Sequence, residues 1–305
     1  MADAAFENAY AQIAAAKDSA LVVRAFFDAP TFTVTYVVHD AETRRAAVID
    51  SVLTFDPAAG RTGHEAINPV IAHIEKQGLN VDWHLETHAH ADHLSAAPYL
   101  QQKLGGKIAI GEHICQVQQT FGSLFNAGAD FQRDGSDFDH LWADGDQFMI
   151  GNLPVTVLHV PGHTPACVAY VIGDAVFVGD TMFMPDYGTA RADFPGGDAR
   201  ILFRSLRRLL ALPTETRLFL CHDYLPEGRD HYMWETTVGN QRRANIHAHD
   251  SVSEDEFVAM REARDATLAM PRLILPSVQV NMRAGHMPPP EDNGVSYLKI
   301  PLNQL

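Results

Sequence analysis

The stretch Thr87-His88-Ala89-His90-Ala91-Asp92-His93 places four metal-capable side chains within six residues. The preceding segment, Val81 to Thr87, has the pattern of a short strand. The following segment, Ser95 to Leu104, has that of a helix, closed by Gly105-Gly106. The histidines therefore fall on a strand-to-helix turn at the carboxyl end of a strand, where open α/β sheets place their chemistry. Imidazole nitrogen and carboxylate oxygen are the donors that bind zinc or non-haem iron. A lone histidine is usually structural. Three histidines and an aspartate in H-x-H-x-D-H spacing need partners if buried together, and a metal supplies them.

Composition narrows the classes. The chain has 305 residues, enough for one large domain or one domain with additions. A formal net charge of −15 argues against nucleic acid or an anionic membrane as the main partner. A small anionic substrate stays open, because a local basic residue decides that inside a pocket. Cys115, Cys167 and Cys221 are few, odd in number and without C-x-x-C pairing, so a disulfide framework is not expected and a reducing compartment is. Residues 1–20 are Ala-rich and carry Asp3, Glu7 and Asp18, unlike a signal or transit peptide. No apolar run approaches the ~18 residues of a membrane helix. These features lead to the expectation of a cytoplasmic protein.

The chain order suggests three parts: a tail or short helix over 1–20, a catalytic domain over 21–230, and a C-terminal extension over 231–305 that packs on the core and borders the substrate side. Thr31 to Val38 and Ala46 to Asp50 have strand patterns. Thr54 to Gly63 has the composition of a loop, and Glu65 to Gln77 the spacing of a helix. Lys107 to Ile110 and a helix from Glu112 continue a βαβ alternation. The Gly- and Asp-rich segment from Gly122 to Asp146 suits either a lid or a solvated connection. Short strands are expected at 148–150, 155–158, 168–172, 175–178 and 217–220, with a helix over 198–210. Beyond Asp230, helices are expected over 232–246 and 254–270, and a last strand over 295–300.

Three more candidate ligands stand at strand ends: His163 in Pro161-Gly162-His163-Thr164, Asp180 in Gly179-Asp180-Thr181, and His222 in Cys221-His222-Asp223. With His88, His90, Asp92 and His93 they resemble the ligand set of the metallo-β-lactamase superfamily, over roughly residues 30 to 225. The resemblance implies an αββα sandwich with, here, a helical C-terminal extension. In binuclear hydrolases of that superfamily, the residues matching His88, His90 and His163 hold one metal, those matching Asp92, His93 and His222 the other, and the one matching Asp180 bridges them.

A narrower likeness rests on Thr87 to His93, Gly162-His-Thr164, Gly179 to Phe183, Gly188 to Phe194 and His222-Asp-Tyr224, with Trp234 to Thr237, Asn281 to Ala284 and Asn293 to Asn303. Together these resemble the persulfide dioxygenases, a glyoxalase II-like group, in their bacterial β-lactamase-hydrolase-like branch. The group implies oxidation of glutathione persulfide by O2 and water to sulfite and glutathione, in sulfide detoxification. It also implies one Fe(II) per chain on His88, His163 and Asp180, with His90, Asp92, His93 and His222 around them. That is a 2-His-1-carboxylate face with open positions; the chemistry is metal-centred, without a side-chain nucleophile. Arg191 is a candidate partner for a glutathione carboxylate or, equally, for Asp193. Tyr187 and Tyr224 are candidate pocket walls. His84, Glu86, His159 and His231 are expected to be structural or solvated, His247 and His249 to lie on the surface, and Cys221 to be a core residue turned away from His222. The alternative is a hydrolase with two Zn(II) per chain acting on a thioester such as S-lactoylglutathione, with a β-lactam as a weaker version. A non-catalytic module that kept the fold is a third reading, opposed by the intact set of seven ligands. A homodimer is allowed but not specified.

Overall fold

The computed structural model describes residues 3–16 and 19–304, so Met1, Ala2, Lys17 and Asp18 of the expected N-terminal tail or helix, and Leu305, lie outside the described residues. The chain opens with α1 (Ala4–Ala15), then β1 (Leu21–Asp28), β2 (Thr33–Asp40), β3 (Arg45–Ile49), β4 (Val52–Asp56), β5 (Arg61–Gly63) and α2 (Asn68–Gln77). It continues through β6 (Asn80–Leu85), β7 (Leu94–Ser95), α3 (Ala97–Leu104), β8 (Lys107–Gly111), α4 (Ile114–Leu124) and β9 (His140–Trp142). A second series follows: β10 (Gln147–Ile150), β11 (Leu153–His159), β12 (Val168–Ile172), β13 (Ala175–Phe177), α5 (Ala199–Leu210) and β14 (Arg217–Phe219). Last come β15 (Glu235–Thr237), α6 (Val238–Ala244), α7 (Glu254–Asp265) and α8 (Ile274–Asn281).

Two six-stranded mixed sheets form, ordered β1-β2-β3-β6-β8-β9 and β10-β11-β12-β13-β14-β15. Strand alternation explains why they face each other. Val34, Tyr36 and Val38 of β2 point into the same core as Val155 and Val157 of β11 and Tyr170 and Ile172 of β12. The intervening residues serve the outer layers. Val37 of β2 and Val48 of β3 meet α2 through Val70, Ile71 and Ile74. Leu158, Val171 and Val176 meet α1 and α5 through Ala9, Ile13, Leu202 and Leu206. The result is the αββα sandwich that the resemblance implied.

Several local expectations fail for identifiable reasons. Residues 54–63 are not a loop: β4 and β5 pair antiparallel around a turn in which the Asp56 carboxylate accepts from the Ala58 and Ala59 amides. Residues 232–246 are not one helix. Glu235–Thr237 complete the second sheet against β14, and the Thr237 hydroxyl then caps α6. Helix α7 stops at Asp265 rather than Met270, and α8 follows unannounced. Residues 295–300 form no strand, and their apolar side chains Val295, Tyr297 and Ile300 are exposed. Within 122–146, Phe125, Phe131 and Phe138 are buried against α4 and α8, and β9 extends the first sheet; none of these residues lines the main cleft described below.

His84, on β6, is buried and donates to the Gly105 carbonyl (2.7 Å). Burial pulls its pKa down to about 4, below the ordinary imidazole value of 6.5. The folded state therefore favours neutral His84. Its contribution to stability is complete above pH 6.5 and lost as pH falls toward 4, at roughly 1.4 kcal/mol per pH unit. Denaturant unfolding across that window is expected to show a shallower decline in His84→Gln than in the parent; equal slopes would remove His84 as the source.

Candidate metal centre

Five strands deliver polar residues to one edge of the sandwich. Asp50 follows β3, residues 88–93 follow β6, His163 follows β11, Asp180 follows β13 and His222 follows β14. The parallel pairing of β3 with β6 and of β13 with β14 brings their carboxyl ends together within each sheet. A bond from Val34 N to Cys221 O (2.7 Å) ties the two sheets at this edge.

Hydrogen bonds fix three of the rings. His163 Nδ1 donates to the Arg191 carbonyl (2.8 Å) and His222 Nδ1 to the Phe32 carbonyl (3.1 Å). Thr87 Oγ1 donates to Asp50 Oδ2 (2.8 Å), which leaves it to accept from His88 Nδ1 (3.0 Å). Each ring thus spends its Nδ1 proton on a neighbour and presents the Nε2 lone pair inward, the arrangement in which histidines ligate metals. His88 Nε2 lies 3.8 Å and His163 Nε2 3.6 Å from Asp180 Oδ2, and His222 Nε2 lies 3.2 Å from Asp180 Oδ1. His88, His163 and Asp180 form one group with ligand atoms within 4.8 Å of one another; His90, Asp92 and His93 form another.

His90 is held differently. Its Nε2 faces Asp50 Oδ1 (3.0 Å) and Glu86 Oε2 (3.3 Å), and Glu86 Oε1 accepts from Ser95 Oγ (2.5 Å). Burial would depress His90, but the Asp50 and Glu86 carboxylates override it and raise its pKa well above the usual range. His222 is likewise raised, to about 9, by Asp180 and Asp92 against the effect of burial. His88, buried and beside His90, is pushed well down. A divalent cation would take the place of those protons.

Residues outside the seven candidate ligands complete the site. Cys221, expected to turn away, is buried with Sγ 3.6 Å from Asp50 Oδ2 and groups with His90 and His222. Asn281, at the end of α8, donates to the carbonyls of His90 and His93 (2.8 Å each) and accepts from Ser95 N (2.8 Å). His247, expected at the surface, is buried and accepts from Thr189 N (3.1 Å). Beneath that loop, Arg261 pairs with Asp265 (2.7 Å), and Asp265 accepts from Ala192 N (2.9 Å). Asp223 braces a loop through Arg229 and Met233 N. Of the residues expected to be structural or solvated, His159 is half-buried on the Pro165 carbonyl and His231 is exposed beside Asp230.

A cleft of about 430 Å³ opens onto Asp92, His163 and Asp180. Phe32, Phe183, Tyr187, Phe194 and Tyr224 form its apolar wall, and Arg191, Arg261, Arg264 and Arg272 its basic one. Arg191 is bidentate to Asp193 (2.6 and 2.7 Å) and also donates to the Ala269 carbonyl, so its guanidinium is spent within the protein. Arg264 and Arg272 are exposed and form no ion pair with any described residue.

The donor set fits a metal. His88 Nε2, His90 Nδ1, His93 Nε2, His222 Nε2 and Asp180 Oδ1 are buried without a hydrogen-bond partner, and each belongs to a group of closely spaced potential ligands. Buried polar atoms rarely remain unpartnered. Similar proteins carry related names. The chain is 55% identical over 295 residues to a probable metallo-hydrolase of Burkholderia pseudomallei (93% of this chain, all of the relative). It is 51% identical to Glyoxylase B2 of Dictyostelium discoideum (88% and 92% covered) and 29% identical to the mouse persulfide dioxygenase ETHE1 (90% and 93% covered). Its fold superposes on the crystal structure of ETHE1 from Myxococcus xanthus with a TM-score of 0.69 at 29% identity, over 87% of this chain and 100% of that one. Residues 28–222 match the sequence profile of the metallo-beta-lactamase superfamily, and with the strand-end ligand set and the αββα sandwich in place, the chain belongs to that superfamily.

Proposed function

We propose that the chain is a persulfide dioxygenase acting on glutathione persulfide. The reaction consumes one O2 and one water. The outer sulfur is oxidised to sulfite, the S–S bond breaks, and the inner sulfur leaves as the glutathione thiol with the protons balanced in solution. The observation that carries this reading is the compact group of His88, His163 and Asp180, two imidazoles and one carboxylate, from which His90 stands apart. That donor set suits non-haem iron(II) with positions left open. When bound, iron(II) would bring a soft sulfur and O2 into one coordination sphere.

The chain's own groups do the rest. The Arg191 carbonyl and Thr87 hydroxyl hold His163 and His88 in register. Phe183, Phe194, Tyr187 and Tyr224 give the cleft beside the metal group an apolar lining. Arg264 and Arg272, free of carboxylate partners, are the groups available to bind the two carboxylates of glutathione. Replacing both by Ala is expected to raise KM by about tenfold or more, with kcat and iron content held. An unchanged KM would move the anion contact elsewhere.

A second reading, a two-metal thioester hydrolase, draws on the second ligand group of His90, Asp92 and His93 and on the names of the relatives above 50% identity. The two are separated by assaying iron-loaded and zinc-loaded protein side by side. Sulfite from glutathione persulfide in the iron form, with S-lactoylglutathione left intact by both forms, is the expected result. Thioester cleavage by the zinc form without sulfite formation would reverse the assignment.

A further inference from the structure

A second cavity, of about 240 Å³, lies apart from the metal cleft, between the end of α4 and the turn after α8. Phe125, Ala127, Phe131, Met282, Pro288 and Pro289 form an apolar side, and Asp130, Gln279, Glu291, Tyr297 and Lys299 a polar one. Into it projects Arg283, of which only 8% is exposed. The guanidinium rests 4.0 Å over the Phe131 ring. Arg283 makes no ion pair and no side-chain hydrogen bond with any described residue, and its Nε is buried without a partner. Asp137 acts on it only as a longer-range charge, and burial depresses its pKa.

A largely buried arginine normally has a carboxylate on it, because desolvating an unpaired charge is costly; here Nε is the buried nitrogen without a partner. The turn holds Arg283 firmly: Ala284 sits at φ 55° and Gly285 at 88°. A left-handed alanine is a costly conformation that persists where the surroundings impose it. Arg283 also belongs to the Asn281-Met-Arg-Ala284 motif, of which the metal centre uses only Asn281.

We infer that this cavity is a binding site for a small monocarboxylate with an aromatic or short aliphatic body, paired to Arg283. The apolar walls select the body and Arg283 the charge. A second cation in the lining, Lys299, already donates to the Asn126 carbonyl, and Asp130 and Glu291 line the cavity as well. That charge balance favours a monoanion over sulfate or phosphate. The site is continuous with the metal loop, since Asn281 lies two residues before Arg283.

The test is calorimetric titration of the metal-loaded full chain with benzoate and, separately, with sulfate. Saturable binding of one benzoate per chain is expected, with sulfate giving none. Arg283→Met should weaken benzoate by at least about tenfold, the loss of one charge-assisted pair. Ala127→Phe, which fills the cavity and leaves Arg283 in place, should do the same and covers the case in which Arg283→Met fails to fold. The double Arg264→Ala, Arg272→Ala variant should bind benzoate as the parent does. No saturable benzoate binding, or binding lost with Arg264 and Arg272 but kept in Ala127→Phe, would overturn the inference. Neither outcome depends on whether the metal centre oxidises persulfides.

Discussion

His163→Ala is expected to yield a folded chain that binds iron at least a hundredfold more weakly and consumes no oxygen with glutathione persulfide. The ring supplies one of three donors in the proposed iron group, and its Nδ1 is anchored on the Arg191 carbonyl. Loss even of a residue that merely orients a ligand commonly costs about 10- to 100-fold in metal affinity, and loss of the ligand costs more. The substitution falls in a loop after β11, so the sheet should survive it. Metal analysis after dialysis and far-UV circular dichroism on the same sample decide the matter. A variant with its full iron content would exclude His163 from the ligand set.

The largest effect on stability is expected at Asp265. Its carboxylate neutralises Arg261, which is 1% exposed, and accepts the Ala192 amide. Asp265→Ala would strand a buried guanidinium and an amide at once. Breaking one partner of a buried pair costs about 3–5 kcal/mol, far more than the net worth of the intact pair. The Thr189–Ala192 loop, which Arg261 also holds through the Thr189 carbonyl (3.1 Å), should loosen with it. Denaturant unfolding is the measurement, and a loss below about 1 kcal/mol would show that solvent reaches Arg261 in the folded state.

Much of this architecture was legible in the sequence because it depends on period and spacing. Alternation in Thr33 to Val38 and Val155 to Leu158 marks strands with two buried faces, and the ligand candidates each follow an apolar run. What failed depends on partners distant in the chain. Glu235–Thr237 become a strand only because β14 offers an edge, overriding a helical pattern that begins properly at Val238. Nothing local in residues 295–300 says that no edge awaits them. Helix α8 is short and carries Pro276 and Ser277, so its pattern was too brief to see.

The site shows the same division. The convergence of the seven ligand candidates follows from strand ends. Two supporting groups, Asp50 and Glu86, also follow strand ends, after β3 and β6, whereas Asn281 and His247 arrive by tertiary packing, Asn281 from 191 residues beyond His90. Each is an ordinary polar residue in sequence. A signal was present for Asn281, in a motif flagged by resemblance, and for Glu86, a carboxylate beginning the strand-to-helix turn. For Arg191 the sequence leaves a glutathione carboxylate and Asp193 equally open; Asp193, two residues on, occupies it, and among the cleft arginines Arg264 and Arg272 form no ion pair with any described residue.

A single-iron oxygenase and a two-metal hydrolase differ most plainly in metal stoichiometry and oxygen demand. Metal-free protein titrated anaerobically with Fe(II), with oxygen uptake on glutathione persulfide measured at every addition, separates them most directly. Uptake is expected to rise linearly and saturate at one iron per chain, with sulfite formed in step with oxygen consumed. Saturation only at two metals per chain, or a fully loaded protein that takes up no oxygen and cleaves S-lactoylglutathione with zinc, would contradict the single-iron oxygenase.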